Sequence, residues 1–277
     1  KQARDENVVE VFINWPLRRD EELEARLTDG FGLQAALILQ ASPQARVTPL
    51  VQLGQMAARF LEEQLDAGAT LAVCLGRTTY EVIQAIRPNF RVHVNVVQAL
   101  GSMPSTMGEL DSAALARQLA DKLGGEARYL PSPFMAETAE DARVLRTQRD
   151  IRRALDTACD ADLALLGIGT VDPTRSTLVR AGHVSATALL ALGQEGVVGD
   201  MAGQLFSQEG QQGPAAINDR VIGLSLDDLR KIPTTIAVAL GEQKDAAILG
   251  ALRSGAVDVL ATDDRTARAV LELNVAR

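Results

Sequence analysis

Gly76-Arg77-Thr78-Thr79 gathers a residue without a Cβ, a fixed cation and two hydroxyls into four positions, a set of groups that suits a phosphate. A second cation, Lys244, stands where the polar stretch Gly241-Glu242-Gln243-Lys244 opens into a helix at Asp245. A cation at a helix N-terminus opposes the helix dipole, so the position gains nothing without an anion nearby. Only four of the 28 basic residues are lysines, which makes a lysine at this point a noticeable choice. Asp200, in Val198-Gly199-Asp200-Met201-Ala202-Gly203, is an acceptor suited to sugar hydroxyls; a turn-forming or capping aspartate is the equally good alternative. The two histidines, His93 and His183, lie outside these glycine turns, and His93 reads as a half-buried or surface strand residue. If the chain were a sugar-phosphate isomerase or deaminase, Asp200 would be left as the candidate base.

Such groups need rigid elements to aim them. The run Leu71 to Leu75 suits a strand buried on both faces, and Val82, Ile83 and Ile86 recur at helical spacing, so the Gly-Arg-Thr-Thr unit is a strand-to-helix turn. Strands of this kind also read at 8–13, 35–39, 91–100, 161–169, 221–226, 234–240 and 257–261. Helical stripes fall at 20–27, 49–65, 110–123, 141–158, 226–231 and 245–252, with a last helix from Thr262 or Asp263 to the C-terminus. Tyr129-Leu130-Pro131-Ser132-Pro133-Phe134 is a proline-fixed extended segment that crosses the molecule. Alternation of this sort predicts a mainly parallel sheet with helices on both faces, and Gly76, Gly101, Gly169, Gly199 and Gly241 are expected to mark one rim of it. Converging glycine turns at strand ends are what a small-ligand cleft requires.

Composition narrows the function classes. Hydrophobic residues make up 47% of the chain without a run long enough for a membrane span, so a soluble cytoplasmic protein is the simplest reading. A formal charge of −8 argues against this chain gripping nucleic acid by itself. Cys74 and Cys159 lie in apolar surroundings and suggest neither a disulfide scaffold nor a metal site, and nothing calls for a cofactor.

Eight segments in order carry a resemblance. They are Leu75 to Thr79, Gln98 to Met103, Leu130 to Pro133, Leu166 to Gly169, Val198 to Gly203, Ile222 to Leu224, Gly241 to Ile248 and Ala261 to Ala267. Together they resemble the sugar-binding domain of SorC/DeoR-type bacterial transcriptional regulators over nearly the whole chain. The resemblance implies an α/β fold of the phosphosugar isomerase type, like glucosamine-6-phosphate deaminase, ribose-5-phosphate isomerase and the CoA transferases, used to sense a phosphorylated sugar and not to transform it. It implies that Gly76, Arg77, Thr78 and Thr79 hold the phosphate, that Gly101, Ser102 and Met103 form a facing loop, and that Asp200 meets sugar hydroxyls. Lys244 would meet the phosphate or the anomeric end, and Phe206 joins the same effector-binding set. Ser102 stands where several members carry a second glycine, a departure that bears on which sugar fits. No catalytic residue is expected. Residues 1–277 would be one effector domain, forming a homodimer or homotetramer and reaching operator DNA only through a helix-turn-helix absent from this chain.

Overall fold

A computed structural model describes residues 17–40, 47–241 and 243–275. The strand expected at 8–13 and Glu242 lie outside them. The described residues form a seven-stranded sheet in the order β1-β9-β8-β5-β2-β3-β4, with every pair parallel. The strands are β1 (Ala35–Leu39), β2 (Thr70–Val73), β3 (Asn95–Gln98), β4 (Glu126–Arg128), β5 (Leu163–Gly167), β8 (Thr234–Val238) and β9 (Val259–Asp263). A separate antiparallel hairpin pairs β6 (Val197–Met201) with β7 (Gln204–Ser207).

The two-residue period of a strand sends alternate side chains to opposite faces, and here both faces are buried. Leu71 and Val73, Leu163 and Leu165, Ile236 and Val238 enter one core with Leu53 and Leu61 of helix Pro49–Gln64 and Val82 and Ile83 of helix Arg77–Ala85. Ala72, Ala164, Leu166, Ala237 and Leu260 enter the other, against Leu23 and Leu27 of helix Glu21–Phe31, Ile248 and Leu252 of helix Asp245–Arg253, and Val270 of helix Asp264–Val275. That double burial is why the strands read as unbroken apolar runs.

β2 and β8 flank β5, so Gly76 and Gly241 follow strands only two positions apart, about 10 Å across the sheet. Gly76, Gly101, Gly169 and Gly241 all follow the carboxyl ends of sheet strands, while Gly199 does not: it lies within the hairpin, outside the main sheet. The hairpin is nevertheless fastened to the rim. The Gly169 N–H donates to the Asp200 carbonyl at 2.8 Å, and a Cβ on Gly199 would come within 2.7 Å of both the Gly169 carbonyl and Ala247 Cβ.

Other expectations are corrected. Val221 to Leu226 makes no strand; it forms isolated bridges, Val221 to Met135 and Gly223 to Leu100, as it passes the crossing segment. The stretch 91–100 contributes only four strand residues, and His93 is exposed ahead of them. The helix expected at 141–158 is two, Ala139–Thr147 and Arg149–Cys159, and β4 was not anticipated because Glu126-Ala127-Arg128 carries no apolar signal. Asp263, rather than Thr262, caps the final helix by accepting from the Thr266 N–H at 2.7 Å.

Candidate functional site

A cleft of about 410 Å³ opens at the carboxyl rim, the usual place for a ligand in an open α/β sheet. Its walls come from the turn after β2 (Gly76, Arg77, Thr78), the loop after β5 (Gly169, Thr170, Thr174, Arg175), the hairpin (Asp200, Ala202, Gly203) and Lys244 after β8.

The β2 turn leaves a helix start open to the cleft. Helix Arg77–Ala85 starts at Gly76, whose φ of +138° is open to glycine, and no side chain caps its first N–H groups. Arg77 is exposed beside them. Thr78 faces the cleft so closely against β5 that a Cβ on Gly167 would lie 2.7 Å from its Oγ1. Thr79 is different: it is fully buried beneath the turn, and its Oγ1 has no hydrogen-bond partner among the described residues. Amide donors, a hydroxyl and a guanidinium around an open helix N-terminus can encircle phosphate oxygens.

Across the cleft stands the pair Asp200 and Lys244. The turn Ala202-Gly203 has φ of +49° and +76°, the double left-handed geometry of a tight hairpin, and it fixes Asp200 two residues earlier on β6. Asp200 is therefore a strand residue, neither a turn former nor a cap. Its carboxylate packs directly over Gly169, where a Cβ would lie 1.9 Å from Oδ1. Burial pushes Asp200 up to about 6, against the opposing pull of Lys244 and of a hydrogen bond from the Gly203 N–H. Burial pushes Lys244 down, Asp200 pulls it up, and Arg175 adds to the lowering. Lys244 Nζ donates to the Ile168 carbonyl at 2.6 Å. The anion that this helix-start cation needs is thus already in the protein.

A pH effect follows. Because Asp200 holds its proton up to about 6, well above an ordinary aspartate, the folded state binds that proton more tightly than the unfolded state. Its contribution to stability is complete below about pH 4 and is lost as pH rises to about 6, amounting to about 3 kcal/mol. Urea unfolding of wild type and Asp200→Asn across pH 4–7 should show the difference between them changing by an amount of that order. Parallel curves would contradict it.

Five expected site residues do not reach the cleft wall. Gly101 lies against the crossing segment, where a Cβ would meet the Pro133 carbonyl at 2.1 Å. Ser102 Oγ accepts from Gln98 Nε2 at 2.8 Å, and Met103 is buried with its N–H donating to Asp111 Oδ1. These three hold the loop after β3 in place. Thr79 lies under the turn, as described. Phe206, expected in the effector-binding set, is fully buried in the core beside helix Asp245–Arg253, because β7 turns its side chain away from the hairpin's cleft side.

Among the described residues, the aromatic ring that does line the cleft is Phe134, at the end of the crossing segment; His183 packs against it at a tilt, 5.1 Å between centroids. Arg175 and Arg180 also line the cleft and were missed, since the loop after Gly169 has no periodicity to single them out. Its only advance signal was polar length following a strand-end glycine.

Comparison with known proteins places this architecture. The family described as "Putative sugar-binding domain" matches residues 16–272. The transcriptional regulator LsrR of Enterobacter sp. (strain 638) is 32% identical over 280 residues, covering 99% of this chain and 82% of that protein. The deoxyribonucleoside regulator of Bacillus subtilis (strain 168) is 30% identical over 271 residues, covering 97% of this chain and 85% of that protein. The crystal structure of the full-length sorbitol operon regulator SorC from Klebsiella pneumoniae superposes with a TM-score of 0.83 over 98% of this chain and 87% of that one; at 21% identity it supports the fold alone. These relatives are transcriptional regulators and not enzymes.

Proposed function

This chain belongs to the sugar-binding domains of SorC/DeoR-type transcriptional regulators, and from that premise we propose that its effector is a phosphorylated sugar bound in the rim cleft. As a sugar-binding domain of regulators, it needs a ligand that shifts an equilibrium, not one that reacts. The observation that carries the phosphate is the open helix start at Gly76, with Arg77 and Thr78 on the cleft wall. Asp200 and Lys244, held together opposite, suit the hydroxyls and the anomeric end of the sugar, and Phe134 supplies an apolar surface between them. Residues 1–277 act as one effector domain, and operator DNA is met through a DNA-binding segment outside them. No helix among the described residues is long and apolar enough to cross a membrane.

A sensor must report binding by moving a neighbour, so the proposal includes self-association. Helix Ala186–Gln194 supports it: the helix carries no charged residue, and Leu190 on it is 54% exposed. For a chain of formal charge −8, pairing through an uncharged surface brings two copies together without opposing like charges. Light scattering should find a dimer or tetramer that Leu190→Asp shifts toward monomer. A wild-type monomer at every concentration, with and without sugar phosphate, would count against it. The function itself is tested by incubation with a panel of sugar phosphates, read for thermal shift and for turnover; a shift without turnover is expected, and conversion of any of them would restore the isomerase or deaminase reading.

A further inference from the structure

Among the described residues, four cations line the cleft: Arg77, Arg175, Arg180 and Lys244. Two have carboxylates of their own. Lys244 faces Asp200, and Arg175 Nε lies 3.6 Å from Asp172 Oδ2. Arg180 has no carboxylate within ion-pair distance among the described residues; its Nη2 donates instead to the Met107 thioether at 3.7 Å. A thioether is a weak acceptor, and a guanidinium carries five donors, so this contact engages little of what Arg180 can do.

Its position gives the rest a direction. Met107 ends the short helix Pro104–Met107 and runs straight into the 3₁₀ turn Gly108–Leu110. The Leu110 carbonyl accepts from the Gly76 N–H at 3.2 Å. One four-residue segment therefore touches the Arg180 guanidinium at one end and the anion-binding turn at the other. Three residues of 3₁₀ turn advance only about 6 Å, within the sweep of an arginine side chain. Arg180 also closes the short helix Thr177–Arg180, whose Leu178 and Thr177 face the cleft.

We propose that Arg180 is the second cation of the anion site, leaving the Met107 thioether to close over a phosphate held by Arg77 and Thr78 at the turn that Gly76 opens. This rests on the phosphate reading of that turn, and it leaves Lys244 to the sugar's hydroxyls and anomeric end. Arginine suits the task, because its planar fork can take two phosphate oxygens at once. The charge balance agrees: among the described residues, Arg77 and Arg180 are the two cleft cations without a carboxylate in ion-pair reach, and a phosphate monoester brings close to two negative charges. Arg180 discriminates phosphorylated from unphosphorylated ligands and ties the loop after β5 to the bound state.

The test uses inorganic phosphate as the probe. Its affinity is measured calorimetrically for wild type, Arg77→Ala, Arg180→Ala, Arg180→Lys and Lys244→Ala, alongside each variant's thermal unfolding. The ¹³C-methyl resonance of Met107 is followed in the same titrations. Arg180→Ala should weaken phosphate binding about tenfold to a hundredfold, as Arg77→Ala does, with unfolding unchanged; Arg180→Lys should recover part of the loss, and Lys244→Ala should matter less than either. Phosphate should shift the Met107 methyl in wild type and leave it unmoved in Arg180→Ala. If Arg77→Ala weakens binding while Arg180→Ala does not, or if the Met107 methyl ignores phosphate, Arg180 is not the second cation and the phosphate site itself stands. If wild type binds no phosphate, the site reading and this assignment both fall.

Discussion

Replacing Arg77 with alanine is expected to weaken binding of a sugar phosphate tenfold to a hundredfold while leaving the fold as stable as before. A charge-assisted hydrogen bond lost from a bound anion is worth about 1.5–3 kcal/mol, which sets that range. Stability should be untouched because Arg77 is exposed, and helix Arg77–Ala85 is held from its other side by Val82 and Ile83 in the core. The helix end also gains from losing a cation, since a positive charge there opposes the dipole when no anion is bound. Titration calorimetry paired with thermal unfolding checks both halves. An Arg77→Ala variant that keeps full affinity would return the Gly-Arg-Thr-Thr turn to a plain helix start.

Gly169→Ala should separate function from folding at the opposite wall. A Cβ there would lie 1.9 Å from Asp200 Oδ1 and 2.7 Å from its Cγ, distances no pair of atoms sustains. The aspartate side chain is the part that can yield, so it must rotate away from the Gly203 N–H and from Lys244. Overpacking of this kind costs about 1–3 kcal/mol, and the chain should still fold. Its ligand affinity should drop as far as that of Asp200→Ala, and combining the two substitutions should add little, because both remove the same acceptor. A Gly169→Ala variant that binds like wild type would show that Asp200 has no part in recognition. Gly101→Ala offers the contrast: its Cβ would strike the Pro133 backbone carbonyl at 2.1 Å, which cannot swing aside, so stability is lost along with the loop.

Much of this was legible in the sequence because the sheet is buried on both faces. Leu71 to Leu75 and Thr234 to Leu240 are apolar at nearly every position, and the glycine at the end of each marks where the strand stops and a ligand can approach. Val221 to Leu226 shows the limit of that signal: it is as apolar as a strand, since Val221, Ile222 and Leu224 are all fully buried, yet it packs beside the crossing segment and joins no ladder. The edge strand β4 has the reverse problem, being real but half-exposed and charged. At the cleft, types of residue were readable and directions were not. Phe206 and Phe134 are both apolar aromatics near glycines, and only the hairpin's register turns one into the core while the crossing segment brings the other to the cleft. Lys244 was marked by its unfavourable place at a helix start, but its compensating anion, Asp200, lies 44 residues earlier and is brought to it by the hairpin.

Whether the effector is recognised through its phosphate is decided most directly by calorimetric titration of the wild-type chain with a series of phosphorylated sugars, each against its unphosphorylated parent. At least one phosphorylated sugar should bind ten times or more tighter than its parent, and the advantage should vanish in Arg77→Ala. Parents that bind as tightly as their phosphates throughout the series would contradict the account.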